Sequence, residues 1–436
     1  MTHFCPECFG DKSLRSLLIK ARPSYPDGVK CDFHPSRKGI PDAVVIDRID
    51  GAIRSNYGWA DSNPYVNEGA TLPELIEGLV QPESEDILQA VKAELENSED
   101  YDMRKGGEPF YDDNQTFVKY ETTYNPLHEM WDRFKYDIVH QQRFFSQRGQ
   151  GWLREIFSDL EHQKDSSGQS PIYTVSPSEK GWTMYRARRR DTEAERAKAC
   201  AAPAAELGPP PERLRRAGRL NAPGVACFYG AFDIETCLAE IRPPVGSWAV
   251  TAAFDLLRPI TVLDMTRFTN EVANRSIFSP VRQKRLDQWR FMQVFQEEIT
   301  RPILPDDEVL DYVPTQAVSE FIHVALAAEA KGTGSRIDGI VYGSAQRPGG
   351  RNIALFGEAA LIDGGTDEPE DKLSRAALSG LWDDGAGYVR PSLQNMLGPD
   401  PALKLREGSV AVHRITGIDV RWMTEDPDNE LQSLDF

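Results

Sequence analysis

A chain of 436 residues exceeds what one hydrophobic core usually organises, so two or more domains are expected. Its net charge of −18, from 68 acidic against 50 basic residues, repels polyanions at long range and so disfavours nucleic acid and anionic membranes as partners. Apolar residues make up 40% of the chain, enough for ordinary cores; no apolar run approaches membrane-spanning length, and Thr2-His3-Phe4-Cys5 lacks the basic start of a secretory leader, which points to a cytoplasmic protein.

The first segment, residues 1–40, carries Cys5-Pro6-Glu7-Cys8 and then Cys31-Asp32-Phe33-His34, separated by an amphipathic turn around Leu14 to Ile19. Two ligand pairs, each with two intervening residues, can set four donors tetrahedrally around Zn2+ as the chain folds back between them. Cys5, Cys8, Cys31 and His34 therefore form a candidate structural zinc ribbon or knuckle, with buried free thiols as the alternative.

Residues 41–165 read as a helical domain. Ile46, Ile49 and Ile53 recur at helical spacing, as do Leu72, Leu75, Ile76 and Leu79, then Ile87, Val91 and Leu95. Trp131, Phe134 and Ile138, then Trp152, Ile156 and Leu160, continue the pattern. Tyr57-Gly58-Trp59 and Gly106-Gly107-Glu108-Pro109 are expected to be loops between helices.

A polar, Gly- and Ser-bearing stretch from Gln163 to Gln169, with Pro171 and Pro177 behind it, places a domain boundary before residue 178. From 178 to 365, β-rich runs at Trp182–Tyr185, Ala226–Tyr229 and Trp248–Val250 alternate with helices. Asp233 opens a helix carrying Glu240, Tyr312–Gln316 opens a second that runs from Ala317 to Ala330, and Ile337 to Tyr342 is a strand. Residues 191–217, rich in Ala, Pro and charge, are expected to be an exposed loop. The C-terminal extension, 366–436, starts as an acidic linker and holds one added strand at Ser409–His413. The expected fold class is α+β.

Five segments in the 178–365 region present polar residues on apolar or Gly/Pro frames: Met184-Tyr185-Arg186, Gly218-Arg219-Leu220-Asn221-Ala222-Pro223-Gly224, Cys227-Phe228-Tyr229-Gly230-Ala231, Cys237-Leu238-Ala239-Glu240-Ile241-Arg242 and Gly339-Ile340-Val341-Tyr342-Gly343-Ser344. Two arginines suit a diphosphate, and a carboxylate suits a developing glycosyl cation. Glu240 on an apolar helix face is either paired with Arg242 or Arg186 or functional. Tyr229 either stacks on a ligand or fills the core. Arg186 ends an apolar strand within a run of four arginines, and Asn352, after Gly349-Gly350-Arg351, is pocket support or a turn residue.

In their order, these segments resemble the RES domain, a fold related to ADP-ribosyltransferases whose members break down NAD+. The start of the chain also resembles the HEPN/RES N-terminal region of a RES subgroup. The resemblance implies an ADP-ribosyltransferase-like mixed α/β domain with NAD+ as substrate rather than hydride carrier; neither a Rossmann glycine fingerprint nor a P-loop is present. It places Glu240, Arg186 and Tyr229 in catalysis and Arg219, Ser344, Tyr185 and Asn352 in substrate binding. Ser344, without an adjacent base in sequence, is given binding rather than attack. The acceptor stays open between water, phosphate and a macromolecule.

The implied setting is a bacterial toxin or defence effector, restrained by its own N-terminal region or by an antitoxin or trigger protein; a homodimer is compatible with it. Two other readings remain: RNA cleavage by Arg133 and His140, two helical turns apart, and a zinc-stabilised sensor with an inactive RES-like domain.

Overall fold

A computed structural model describes residues 2–24, 29–60, 69–97, 109–112, 115–119, 125–270, 276–279, 281–301, 308–326, 336–365 and 400–417. The chain divides into two compact units, Met1–Glu129 with Val272–Arg290, and Met130–Glu271 with Phe291–Phe436. Residues 130–165 thus pack with the second unit.

In the first unit, β1 (His3–Phe4) leads through α1 (Lys12–Ala21) to its antiparallel partner β2 (Ile40–Pro41). Asp11 caps α1, its Oδ1 accepting from the Leu14 N–H at 2.7 Å, which satisfies one of the donors a helix start leaves open. Then come α2 (Asp42–Asn56), β3 (Tyr57–Trp59), β4 (Ala70–Thr71), α3 (Leu72–Val80), α4 (Glu85–Asn97) and β5 (Thr116–Lys119). Tyr57–Trp59 is not a loop between helices: it pairs antiparallel with β5, which also pairs β4, so the unit holds a small three-stranded sheet. Ile46, Ile49 and Ile53 of α2 and Leu72, Leu75 and Ile76 of α3 are buried with Phe4, Leu14 and Leu18 in one core, as the helical period requires. Of the second expected loop, Gly106 to Glu108 lies outside the described residues.

After α5 (Pro126–His140) and α6 (Gln147–Phe157), the second unit builds a nine-stranded sheet. Its elements in chain order are β6 (Ile172–Val175), β7 (Met184–Arg189), α7 (Glu193–Ala201), α8 (Pro203–Leu207), β8 (Cys227–Ala231), α9 (Ile234–Glu240), β9 (Trp248–Leu256), β10 (Ile260–Asp264), the part of α10 (Arg282–Thr300) from Phe291 on, α11 (Glu308–Phe321), β11 (Gly339–Gly343), β12 (Arg351–Phe356), β13 (Leu403–Leu405) and β14 (Ala411–Arg414). The strand order is β13-β9-β7-β8-β12-β11-β10-β6, with β14 also on β9. All these pairs are antiparallel except β10 with β11. The mixed sheet fits the α+β expectation.

Three expectations need correction here. Residues 191–217 are mostly exposed, as expected, but are not a loop throughout, since Glu193–Ala201 and Pro203–Leu207 form α7 and α8; a Thr192/Glu195 capping box starts α7, and Ala199 and Leu207 are buried in the sheet core. The helix expected at Ala317 begins earlier, at Glu308, while 327–330 lie outside the described residues. The C-terminal extension supplies two strands to β9, of which the sequence suggested one.

Candidate active site and metal centre

The candidate active site lies where β7, β8, β11 and β12 meet α9. Asp233 caps α9, accepting from Thr236 N–H at 2.7 Å and from Thr236 Oγ1 at 2.8 Å. The helix ends at Glu240, because Arg242 turns into the left-handed region (φ 42°) and Pro243 follows. Glu240 therefore sits at an exposed helix end, not on a buried apolar face. Its pairing is also not the ion pair considered from sequence. Oε1 accepts from Ser344 Oγ at 2.6 Å and from Asn352 Nδ2 at 2.7 Å, leaving Oε2 without a partner among the described residues.

The loop after β11 makes this contact rigid. Backbone N–H groups of Gln346 and Arg347 donate to Ser344 Oγ at 3.2 and 3.1 Å, which directs the serine proton towards Glu240. Arg347 ties the same loop to the α9 start, donating to Asp233 at 2.7 Å and to Thr236 Oγ1 at 3.1 Å. Gly350 allows this approach; a Cβ there would stand 2.5 Å from Thr236 Oγ1. Ser344 thus does have an adjacent carboxylate, one contributed from 104 residues away. Asn352 is 3% exposed, and its Oδ1 is buried with no partner.

Arg186, on β7 opposite Ala252, lies 4.9 Å above the Phe228 ring, and its Nη1 is buried with no hydrogen-bond partner among the described residues. Burial, with Arg188 nearby, pushes its pKa down to about 9. A guanidinium in that state has donor capacity that the folded chain leaves unused. Tyr185, its half-buried neighbour, pairs with Ala231 of β8.

Arg219 spends two of its donors, and Tyr229 its hydroxyl, on framework contacts. Arg219 donates Nη1 to the Glu298 carbonyl at 3.1 Å and Nη2 to the Arg301 carbonyl at 2.5 Å, closing the end of α10, and stands over the Tyr312 ring. The Tyr229 hydroxyl accepts from Leu220 N–H and donates to Asn221 Oδ1, both at 2.9 Å. It braces the Gly218–Asn221 turn, where a Cβ on Gly218 would stand 2.7 Å from that hydroxyl. Thr315, Gln316 and Ser319 of α11 donate to the carbonyls of Arg219, Gly218 and Leu220. Tyr342 also belongs here: burial, and next to it the Glu240 charge, raises its pKa. Sequence reasoning passed over it, although it sits in the quoted Gly339–Ser344 segment at the strand end before Gly343.

A cleft of about 750 Å3 opens beside Ser344, and Gly343, Gly349 and Gly350 share its lining. Arg133 and His140 lie on α5, where the His140 ring packs 5.3 Å from that of Tyr136.

Residues 183–370 match the family model described as the RES domain. This segment is a RES domain. Among curated proteins and solved structures, none matches the chain. The domain thus holds β7 to β12 with Glu240, Ser344 and Asn352, and the family segment falls within the 178–365 region expected from sequence except for its last residues. Among the described residues, no helix is long and apolar enough to cross a membrane.

In the first unit, the four sequence-selected ligands converge: Cys5, Cys8, Cys31 and His34 offer donor atoms within 4.8 Å of one another. Cys5 and Cys8 sulfurs are 3.7 Å apart, Cys8 and Cys31 3.5 Å, and His34 Nδ1 lies 3.4, 3.5 and 3.9 Å from Cys5, Cys8 and Cys31. A tetrahedral zinc with ordinary bond lengths requires edges of about 3.8 Å between sulfurs and about 3.6 Å from sulfur to nitrogen. The set fits. His34 Nε2 meets Glu83 Oε2 at 2.9 Å, so the ring presents Nδ1 to the sulfurs, the usual way an outer carboxylate orients a ligand histidine. Hydrogen bonding between the two thiols pulls the Cys5 pKa down to about 6 and pushes that of Cys8 up, a cluster in which thiolate charge is already favoured on one sulfur.

Proposed function

We propose that the RES domain cleaves the nicotinamide–ribosyl bond of NAD+, with Glu240 as the residue that stabilises the cation. The observation that carries this reading is the carboxylate itself: Ser344 and Asn352 fix Oε1, and Oε2 has no partner among the described residues, at an exposed helix end. A held carboxylate with one open oxygen can accept from a ribose hydroxyl and offset the positive charge that grows on the sugar as the C–N bond breaks. The bonding pair leaves with nicotinamide as a neutral pyridine. The ribosyl cation is captured by an acceptor oxygen of water, phosphate or a macromolecule, and the acceptor's proton passes to solvent.

Arg186 suits a phosphate oxygen because its buried Nη1 lacks a partner and an anion would supply one. Arg219 keeps three of a guanidinium's five N–H donors free for the pyrophosphate after its two backbone contacts. Tyr229 contributes by bracing the turn that carries Arg219, and Tyr185 adjoins Arg186 on β7, opposite Ala231. Cellular NAD+ depletion, as a toxin or defence effector under the control of an antitoxin or trigger, is the setting this chemistry fits.

For the first unit we infer a structural zinc held by Cys5, Cys8, Cys31 and His34. The ion would supply a cross-link between the two ends of the 5–34 segment and no catalytic chemistry, since all four donors are protein side chains.

Nicotinamide release by wild type and by Glu240→Gln tests the enzymatic reading. A carboxylate about 4 Å from the cation at an effective dielectric near 20 is worth about 4 kcal/mol, so the variant should lose on the order of a thousandfold in kcat. Equal rates for the two proteins would sink it.

A further inference from the structure

The cleft beside Ser344 is larger than the chemistry at Glu240 requires, and one of its walls does not come from the RES segment. Asp165, Ser167, Gln169, Tyr173 and Trp182 line it, all preceding residue 183. That wall is held stiff by its own polar contacts. Buried Asp165 accepts from Ser167, the Gln169 N–H and Asn270 at 2.6, 2.9 and 3.1 Å. Tyr173 donates to buried Asp264 at 2.8 Å, and Arg267 covers the Tyr173 ring at 4.5 Å while bonding Gln169.

Besides the exposed Glu179 carboxylate, which adds negative charge to the lining, three groups at the cleft are not spent in this way. The half-buried Trp182 indole is packed edge-on against Tyr173 and Phe232, which fixes the ring plane. The exposed Arg351 guanidinium lies 4.7 Å over the Phe232 ring and has no carboxylate partner among the described residues. Gln296, from α10, places Oε1 in a buried position with no hydrogen-bond partner among the described residues, and its Nε2 lies 3.7 Å from where a Cβ of Gly343 would be. An aromatic face, an unpaired cation and an unsatisfied acceptor, strung from the cleft to Ser344, match a purine, a phosphate and a ribose hydroxyl.

We propose that this cleft binds the adenylate half of NAD+, with the purine against Trp182, a phosphate oxygen at Arg351 and a ribose hydroxyl donating to Gln296. The inference rests on the reading of Glu240 as the cleavage residue and adds where the remote half of the substrate is held. It also assigns residues 165–182 to the enzyme's substrate site rather than to a linker. Remote binding of this kind is what lets an enzyme spend affinity on orientation at the reacting bond.

Two measurements on the full-length chain test it. Calorimetric titration with ADP-ribose should give binding to wild type that weakens about tenfold or more in Arg351→Gln and in Trp182→Leu. The ratio of kcat/KM for NAD+ over that for nicotinamide mononucleotide, which carries the scissile bond but no adenylate, should fall by a similar factor in both variants. Arg351 is exposed, so its variant remains informative if Trp182→Leu folds poorly. ADP-ribose binding and the substrate ratio both unchanged in Arg351→Gln overturn the subsite, as does a wild-type chain that binds no ADP-ribose. Binding that depends on Arg351 in a protein that releases no nicotinamide would refute the cleavage reading and leave the subsite standing.

Discussion

Removing metal from the Cys5/Cys8/Cys31/His34 cluster should loosen the first unit without dismantling its apolar core. Cys5 and Cys8 are 0% exposed and Cys31 1% exposed, and Phe4, Phe9, Leu14 and Leu18 pack in the same core, so the proposed cross-link would be continuous with the hydrophobic packing. Structural zinc contributes about 10–16 kcal/mol in peptides that have no other core. Here a core exists, and the relevant figure is the linkage term: metal at about a thousand times its dissociation constant adds about 4 kcal/mol. For a unit of this size that corresponds to a drop of about 10 °C in the unfolding temperature when the metal is stripped. The assay is metal content by elemental mass spectrometry together with thermal unfolding of native, chelator-treated and zinc-restored protein. One zinc per chain and a reversible shift are expected. Glu83→Gln should weaken zinc binding about 10–100-fold by releasing the His34 ring. A chain that takes up no zinc, and whose unfolding ignores both chelator and added metal, would refute the reasoning.

Other perturbations separate framework from function in the second unit. Tyr229→Phe strips the hydroxyl that links Leu220 N–H to Asn221 Oδ1 and should cost about 1–3 kcal/mol in denaturant unfolding; an unchanged midpoint would remove Tyr229 as the brace of the Arg219 turn. Arg186→Met should leave thermal stability equal or higher, since it deletes a buried cation with an unpartnered Nη1, while ADP-ribose titration shows lost affinity; a large stability loss would mean that the guanidinium serves the fold. The Glu206 carboxyl is held below its usual range by hydrogen bonding to Lys198, with Arg190 adding to it. A depressed carboxyl stabilises the fold above its unfolded pKa and loses that contribution as pH falls through the folded pKa. Glu206→Gln should therefore unfold at lower temperature than wild type at neutral pH, and the two should converge as pH falls below the depressed pKa of the folded carboxyl; a gap independent of pH would contradict this.

Local signals were readable in the sequence, and contacts between distant segments were not. Asp233 announces α9 because a short acceptor side chain satisfies the first helix donors, and the Ile46/Ile49/Ile53 period announces the buried face of α2. The two Cys/His pairs carry their spacing with them. By contrast, the resemblance and the chemistry of a developing cation put Glu240 in the site, but its surroundings were not legible: it sits at an exposed helix end, and its setting depends on Ser344 and Asn352, 104 and 112 residues away. Arg219 looked free in its Gly/Pro frame because its acceptors are main-chain carbonyls of Glu298 and Arg301, which no side-chain pattern encodes. Residues 193–207 read as low-complexity loop since Ala, Glu and Pro there carry almost no apolar period, yet Ala199 and Leu207 suffice to dock both helices. Tyr57–Trp59 escaped for a similar reason, as a three-residue strand is defined by its partner rather than by its own sequence.

Mass-spectrometric identification of the products formed from NAD+, with and without inorganic phosphate, tests the central claim most directly. The account predicts free nicotinamide together with ADP-ribose or, when phosphate is the acceptor, its 1″-phosphate, and neither product from Glu240→Gln at comparable enzyme. Cleavage at the pyrophosphate to nicotinamide mononucleotide and AMP, or NAD+ recovered intact, would contradict it.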